Sequence, residues 1–573
     1  MRAVGILLLA ALSVAAPDHD RVIEALVVDA RAVPPEFSAD VLLRLTGSPR
    51  IQDPEWRREL IEEAYLRAYS AWDAYRVTAT STSPNSRQGA QVVASDTALT
   101  RVSLQVRAAQ LMASVDPVRA REMFEWIDLD LVAGSCDSPL VPAVDEYYTT
   151  LAVLARQTFG QDAQGRSDAL RFITLYLFHA HLPTDMPAVA RALRTFRPTR
   201  DEAAYLEGTF RWILDSSLRD PRGFSSVSID LITQLMALED ADRTLGLTNW
   251  NVTRALRDYL VTQFKGPRCS DSLSDGTAAD TFNAALRRRE IAPETITPLA
   301  AGDTRPSSML GVARTDAYWR TIEARRLYEM GVRLRGPDKK PVSDQIRMSE
   351  GWLTQAERLL SELERWTGSR EALERDYVYQ KSVLYTLLVD LVPPTPLRTR
   401  TLRSFADFLK NADRDRAGRT LWFAFANRLI ELTRSADRAI VLDLLENSGH
   451  PVLALYGRVE RSRTTPDHGR SPAGPAVSGI IANMRSMNGR RFSLCAVCSI
   501  DFTPAGVQPQ RSKNAGPSGG ANTKGEPAAA IIAPVRSCSI FNSPGDAMST
   551  IHSAKLGGAA RSWPSAQTSC DIR

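Results

Sequence analysis

Lysine is nearly missing from this chain: of 71 basic side chains in 573 residues, 8 are lysine and 63 arginine. Cysteine is scarce as well, 6 in the whole length, which excludes a small scaffold held by dense disulfides. No apolar run reaches the roughly 20 residues needed to cross a bilayer, so no transmembrane segment is expected in the mature chain. Neither a Gly-x-x-x-x-Gly-Lys-Ser/Thr phosphate loop nor a His-Glu-x-x-His zinc motif occurs, and no cofactor or metal is expected. The rest of the composition, 44% hydrophobic, 24% charged and 7% aromatic, is that of an ordinary globular protein.

The amino end has the three parts of an export signal. Arg2 gives a positive charge, Val4 to Val14 is an apolar stretch, and Ser13-Val14-Ala15 offers small residues to a signal peptidase. A secretory signal over 1–15 is expected, with cleavage after Ala15 because Pro17 disfavours the next bond. The mature protein is accordingly expected to be extracytoplasmic, periplasmic or secreted.

From 16 to 460 the pattern is helical. Asp53-Pro54 and Asp116-Pro117 each pair an N-cap with a proline at the first helical position. Trp56, Leu60, Ala64, Ala68 and Trp72 then form one stripe, and Ala120, Phe124, Ile127 and Leu131 another. Trp422, Phe425, Leu429 and Leu432 repeat the spacing, and Gly449 is placed to stop the helix after Leu444-Leu445. Alternating strand patterns joined by Asn-Gly or Asp-Gly turns are missing. The expectation is an all-α antiparallel helical array, an α-solenoid or an α/α toroid, with a sub-boundary near 266–313.

Ala324/Tyr328 and Ala356/Leu360 place a small residue four positions before a large one, as does Ala120/Phe124. On these residues the stretch from about 315 to 391 resembles tetratricopeptide-type helical repeats. Positions 154 (Leu) and 222 (Arg), at multiples of 34 from Ala120, depart from the pattern, as do Glu323 and Arg326 beside Trp319. The resemblance implies a protein-binding scaffold and carries no site residues.

Cys136 and Cys269 are the two cysteines before residue 460, each in a Cys-x-Ser or Cys-Ser-Asp loop ahead of a helix. In an oxidising compartment they invite a disulfide, worth about 4–5 kcal/mol by chain entropy if their Cα atoms come within about 7 Å. Two isolated thiols are the alternative.

Residues 461–573 change character. Ser, Gly and Pro number 16, 12 and 10, leucine falls to Leu494 and Leu556, and no apolar period survives. A disordered, low-complexity C-terminal tail is expected, either as a basic extension or as translation in a shifted frame after a break near Tyr456 to Arg463. The tail carries 13 basic and 5 acidic side chains, so the net charge of +5 becomes −3 for residues 1–460. Nucleic acid is therefore not expected as a partner of the folded part.

Other motifs fail on context. Cys495 and Cys498 form a Cys-x-x-Cys without a second close pair. Gly516 to Gly520 matches a nucleophile elbow but lies in a Gly/Ser/Pro tract. Asp271, Asp275 and Asp280 lack the oxygen ligands of a calcium loop at positions 273 and 282. His179 and His181 point to different sides of a helix unless Pro183 follows its end. Asn251-Val252-Thr253 is a glycosylation sequon within a helix.

Two functions follow as expectations. The first is an exported helical-repeat scaffold or binding module with an envelope or extracellular protein as partner. The alternative is a glycoside hydrolase or lyase on an α/α toroid, with unknown catalytic residues; Asp128/Asp130 and Asp145/Glu146 are acid pairs to consider, and Trp212, Trp250, Trp319, Trp352 and Trp366 are aromatic platforms. A deep pocket lined by carboxylates and tryptophan would favour the enzyme.

Overall fold

A computed structural model describes residues 20–463 apart from 80–85, 130–139, 221–224, 248–250, 264–274, 292–294, 297–318, 320, 337–341, 369–373 and 413–417. All described residues fall within one compact unit, Met1–Phe502. The Cys136–Cys269 disulfide, both Cys-x-x-Cys residues and the Gly516 motif lie outside the described residues.

Local chemistry sets the helices. Asp20 accepts from the amides of Val22 and Ile23 to start α1 (Arg21–Arg31). Pro35 opens α2 (Pro35–Thr46). The two Asp-Pro pairs start α3 (Pro54–Ala68) and α6 (Pro117–Glu125), where the aspartates accept from Glu55 and from Val118 and Arg119. Between them lie α4 (Arg87–Ser95), capped by Ser86, and α5 (Arg101–Met112), capped by Thr100. Then come α7 (Asp145–Gln157), α8 (Ala163–Leu177), α9 (Met186–Phe196) and α10 (Arg200–Ser217), the last begun by a Thr199/Glu202 capping box. They are followed by α11 (Ser225–Thr244), α12 (Asn251–Gln263) and α13 (Asp275–Arg288).

The second half holds α14 (Ile322–Arg333), the short α15 (Asp344–Arg347), α16 (Glu350–Arg365) and α17 (Glu374–Leu391). It ends with α18 (Pro396–Ala412), α19 (Arg419–Leu432), α20 (Arg438–Glu446) and α21 (Pro451–Ser462). Gly449, at φ 70°, makes the break between α20 and α21 that its position in the sequence suggested. The fold is all-α. Among the described residues one exception to helix is a two-stranded pairing of β1 (Val77–Ala79) with β2 (Leu140–Pro142), antiparallel with Thr78 opposite Val141. Three-residue strands this far apart leave no alternating signature to read.

The apolar stripes fall on buried faces: Trp56, Leu60, Ala64 and Ala68 on α3, and Trp422, Phe425 and Leu429 on α19. Trp72 departs from its stripe. The helix ends at Ala68, so the next turn does not exist, and the Trp72 ring is half exposed.

Helices pack chiefly on the helix two along, and some also on their sequence neighbour, giving two layers. One runs through α5, α7, α9, α11 and α13; the other includes α8, α10 and α12. Arginines tie each helix to the one two along. Arg156 reaches the Thr195 carbonyl, Arg191 reaches Asp230 at 3.0 Å, Arg398 reaches Asp437 at 2.7 Å and Arg428 reaches Asp390 at 2.7 Å, with partners 38 or 39 residues apart. A fork-shaped, always charged side chain suits this bridging better than lysine.

The last helix packs against the first two. Phe37 of α2 meets Trp422 and Phe423 of α19 at ring separations of 6.0 and 5.0 Å. Beneath them Asp40, 1% exposed, is gripped by Arg44 (2.7 Å), Arg107 (2.5 Å) and the Tyr456 hydroxyl (2.5 Å). Burial alone would raise the Asp40 carboxyl, but Arg44, Arg107 and Tyr456 outweigh it and hold it well below the usual carboxylate range. The spatial order of the stack thus joins α21 to α1 and α2.

Candidate functional site

Helix α10 is apolar on two sides. Ala203, Leu206, Phe210, Ile213 and Leu214 form the buried face. On the outer side Tyr205 and Trp212 stand 54% and 53% exposed, three residues before and four after Gly208. That spacing puts both rings on one face of the helix with a bare backbone between them. Phe178, at the end of α8, closes the third wall with its ring 5.0 Å from Trp212 and nearly perpendicular to it. Ala204 and Thr209 complete an open groove of about 690 Å³ with no charged residue in its lining.

A Cβ added at Gly208 would meet nothing within 4 Å. The glycine is not needed for packing, nor does it have a positive φ. It keeps the floor between Tyr205 and Trp212 low, at the cost in helix stability that an interior glycine carries. Leu175 on α8 and Trp126 just past α6 are also exposed, Trp126 to 71%.

The flank of α10 next to the groove carries a different feature. Glu207 adjoins Gly208 in sequence but is turned inward, 9% exposed, toward Glu239 (4%) and Asp242 (3%) of α11. The Glu207 and Asp242 carboxyls face one another within hydrogen-bonding reach, and among the described residues no N–H or O–H donor serves the buried Asp242 Oδ2. Glu239 Oε2 accepts from the Thr253 amide and hydroxyl, both at 3.2 Å, and so ties down the first turn of α12. Burial, then the negative charges of Asp242 and Glu239, push the Glu207 carboxyl up to about 7. Burial pushes Asp242 up to about 6, and it raises Glu239 as well. Two carboxyls in hydrogen-bond contact share a proton, but they leave no room for a glycosidic oxygen or an attacking water between them.

The residues singled out in the sequence are placed as follows. Asp145 pairs with Arg191, and Glu146 with Arg76 at 2.9 Å, so neither is free to act as an acid. Asp130 lies outside the described residues, as do Asp271 and Trp250. Trp319, Trp352 and Trp366 are core residues, and Trp352 donates to the Leu334 carbonyl. Trp212 is the named tryptophan that reaches the surface among those described. Because α8 ends at Leu177, His179 and His181 lie beyond the helix, with His181 Nδ1 2.7 Å from the His179 carbonyl. Thr253 of the sequon is buried against Glu239. Among the described residues no three His, Cys, Asp or Glu side chains are grouped to hold a metal ion, and no helix is long and apolar enough to cross a membrane.

Both features of α10 had a readable signal. Tyr205-x-x-Gly208-x-x-x-Trp212 is an aromatic pair around a glycine on the face away from the core. Glu207 occupies a core position of the stripe that runs Ala203, Leu206, Phe210, Leu214. No family model, no curated protein and no solved structure matches this chain.

Proposed function

We propose that this chain is an extracytoplasmic helical-repeat binding module that grips a protein partner through the aromatic groove of α8 and α10. The observation that carries the reading is the Tyr205–Gly208–Trp212 face with Phe178 beside it: large exposed rings around a floor kept open by a glycine. Exposed Trp and Tyr around a desolvating slot are what binding hot spots are made of, and contiguous exposed apolar surface marks an interaction site. The uncharged lining fits an apolar side chain of the partner rather than an ion. A glycosidase would need two carboxyls across an open cleft, and the groove lining contains none. The helical array and the tetratricopeptide-like spacing of Ala324/Tyr328 and Ala356/Leu360 in the sequence support the same reading, and the secretory layout of 1–15 supports an envelope or extracellular partner.

The test fills the groove without touching the core. Gly208→Trp and Trp212→Ala chains are compared with the original in crosslinking and co-purification from the envelope fraction. A discrete partner that is retained by the original chain and lost from both variants, with affinity down about 30-fold for Trp212→Ala, supports the reading. Equal recovery with all three chains, or no partner with any, overturns it.

A further inference from the structure

The three carboxyls beside the groove form an unusual junction. Glu207 comes from α10, Glu239 and Asp242 from α11, and all are at least nine-tenths buried. The other polar groups facing them are the Asn251 amide and Thr253 of α12 and the Arg243 guanidinium of α11. Arg243 is turned to Asp240 at 3.3 Å and is partly exposed; its charge acts on Glu239. Among the described residues, then, no guanidinium or ammonium is bonded to the Glu207–Asp242 pair in the way two are bonded to Asp40. Buried carboxylates are ordinarily neutralised by such partners, so what holds this pair together is a proton.

We infer that the α10–α11–α12 junction is a pH-operated latch, closed while Glu207 and Asp242 share a proton and loosened when both ionise. With the proton present, a carboxylic acid–carboxylate hydrogen bond links α10 to α11, both of which pack on α12. Without it, two like charges sit in contact at low exposure, with the Glu239 carboxyl as a third acid nearby, and Asp242 Oδ2 still has no donor. The strain is relieved by moving α10 away from α11 or by admitting water. Both ends of the junction meet α12: Asn251 bonds Glu207, and the first turn of α12 hangs on Glu239. Raised carboxyl affinities for a proton accord with this geometry: Glu207 titrates near 7 and Asp242 near 6.

The consequence for the groove rests on the binding reading given above, whereas the latch does not. Tyr205, Gly208 and Trp212 ride on α10, and Phe178 is fixed to α8. A shift of α10 changes the 5.0 Å contact between Phe178 and Trp212 and so the width of the slot. Partner affinity would follow the latch, tighter in acid and weaker above neutrality.

Amide hydrogen exchange of the full chain tests the latch without any partner. Protection factors of α10 and α12, corrected for the intrinsic rate, are followed from pH 5 to 8 with α3 as the internal reference. The expected result is a fall of tenfold or more centred near pH 7, where the last shared proton leaves, in α10 and α12 but not in α3. In Glu207→Gln, which keeps a hydrogen-bond donor toward Asp242 at every pH, the fall disappears; Asp242→Asn behaves alike and serves if the first variant fails to fold. A flat profile in the original chain overturns the latch, as does a fall that persists unchanged in the variants. Loss of partner binding by Gly208→Trp with a flat exchange profile separates failure of the latch from failure of the binding reading.

Discussion

Replacing Tyr456 by phenylalanine isolates the chemistry that joins the last helix to the first two. The ring stays and packs as before at 5.0 Å from Phe423, so no cavity opens and the burial of apolar area is unchanged. What is lost is one hydroxyl hydrogen bond, 2.5 Å long, to the Asp40 carboxylate, between side chains that are 0% and 1% exposed. A hydrogen bond to a charged group contributes about 1.5–3 kcal/mol, and a buried acceptor left short of a donor sits at the upper part of that range. Asp40 keeps Arg44 and Arg107, so the carboxylate remains ionised. The expected loss is about 2 kcal/mol, read in urea unfolding as a lower midpoint at unchanged slope.

Asp40→Asn is the harsher partner experiment. It leaves two guanidiniums without their shared anion and is expected to cost about 3–5 kcal/mol. In the double variant the Tyr456 hydroxyl has already lost its charged acceptor, so the two costs combine to less than their sum. The pH sign is fixed by the direction of the Asp40 shift. A carboxyl held below its ordinary value stabilises the fold above the unfolded value of 3.8 and loses that contribution as pH falls toward the folded one. The Tyr456→Phe cost is therefore constant from pH 7 to 5. A cost under about 0.5 kcal/mol, typical of surface positions, would refute the claim that this contact secures the seam. So would a cost that vanishes between pH 7 and 5.

Three further outcomes follow. Gly208→Ala is expected to raise stability by about 0.5–1 kcal/mol in thermal or urea unfolding, because the added Cβ meets open space and the backbone is helical. Glu207→Gln should match the original chain at pH 4 and be more stable at pH 8, by up to about 3 kcal/mol: the folded carboxyl titrates near 7 against 4.5 unfolded, so the original loses stability as pH rises through that window. Lys381 donates to the Trp366 carbonyl at 2.5 Å and to the Tyr377 hydroxyl at 3.0 Å, yet burial pushes its ammonium down to about 8. The original chain should then gain stability from pH 8 to 10.5 relative to Lys381→Met; parallel profiles would show that this burial carries no charge penalty.

The fold was legible in the sequence where one chemical rule acted alone. Asp-Pro pairs started helices at 54 and 117, and the stripes of α3 and α19 fell on buried faces, whereas the stripe begun at Ala120 outruns α6, which ends at Glu125. Legibility failed where two rules met on one helix. The Trp72 spacing fits its stripe perfectly well, but a capping turn after Ala68 ends the helix first, and periodicity does not count the residues beyond an end. On α10 the apolar stripe accounts for the core face so fully that Tyr205 and Trp212 read as ordinary surface, and Glu207 as an ordinary acid. Only their joint placement gives them meaning. A helix with a satisfied inner face has no packing reason to carry two large rings around a glycine outside, nor to spend a core position on a carboxyl whose neighbour is another carboxyl. Each choice lowers the stability of α10 taken by itself, the glycine through backbone entropy and the acid through burial of charge. Two destabilising choices within adjacent residues of one helix are better explained by what that helix does than by how it folds.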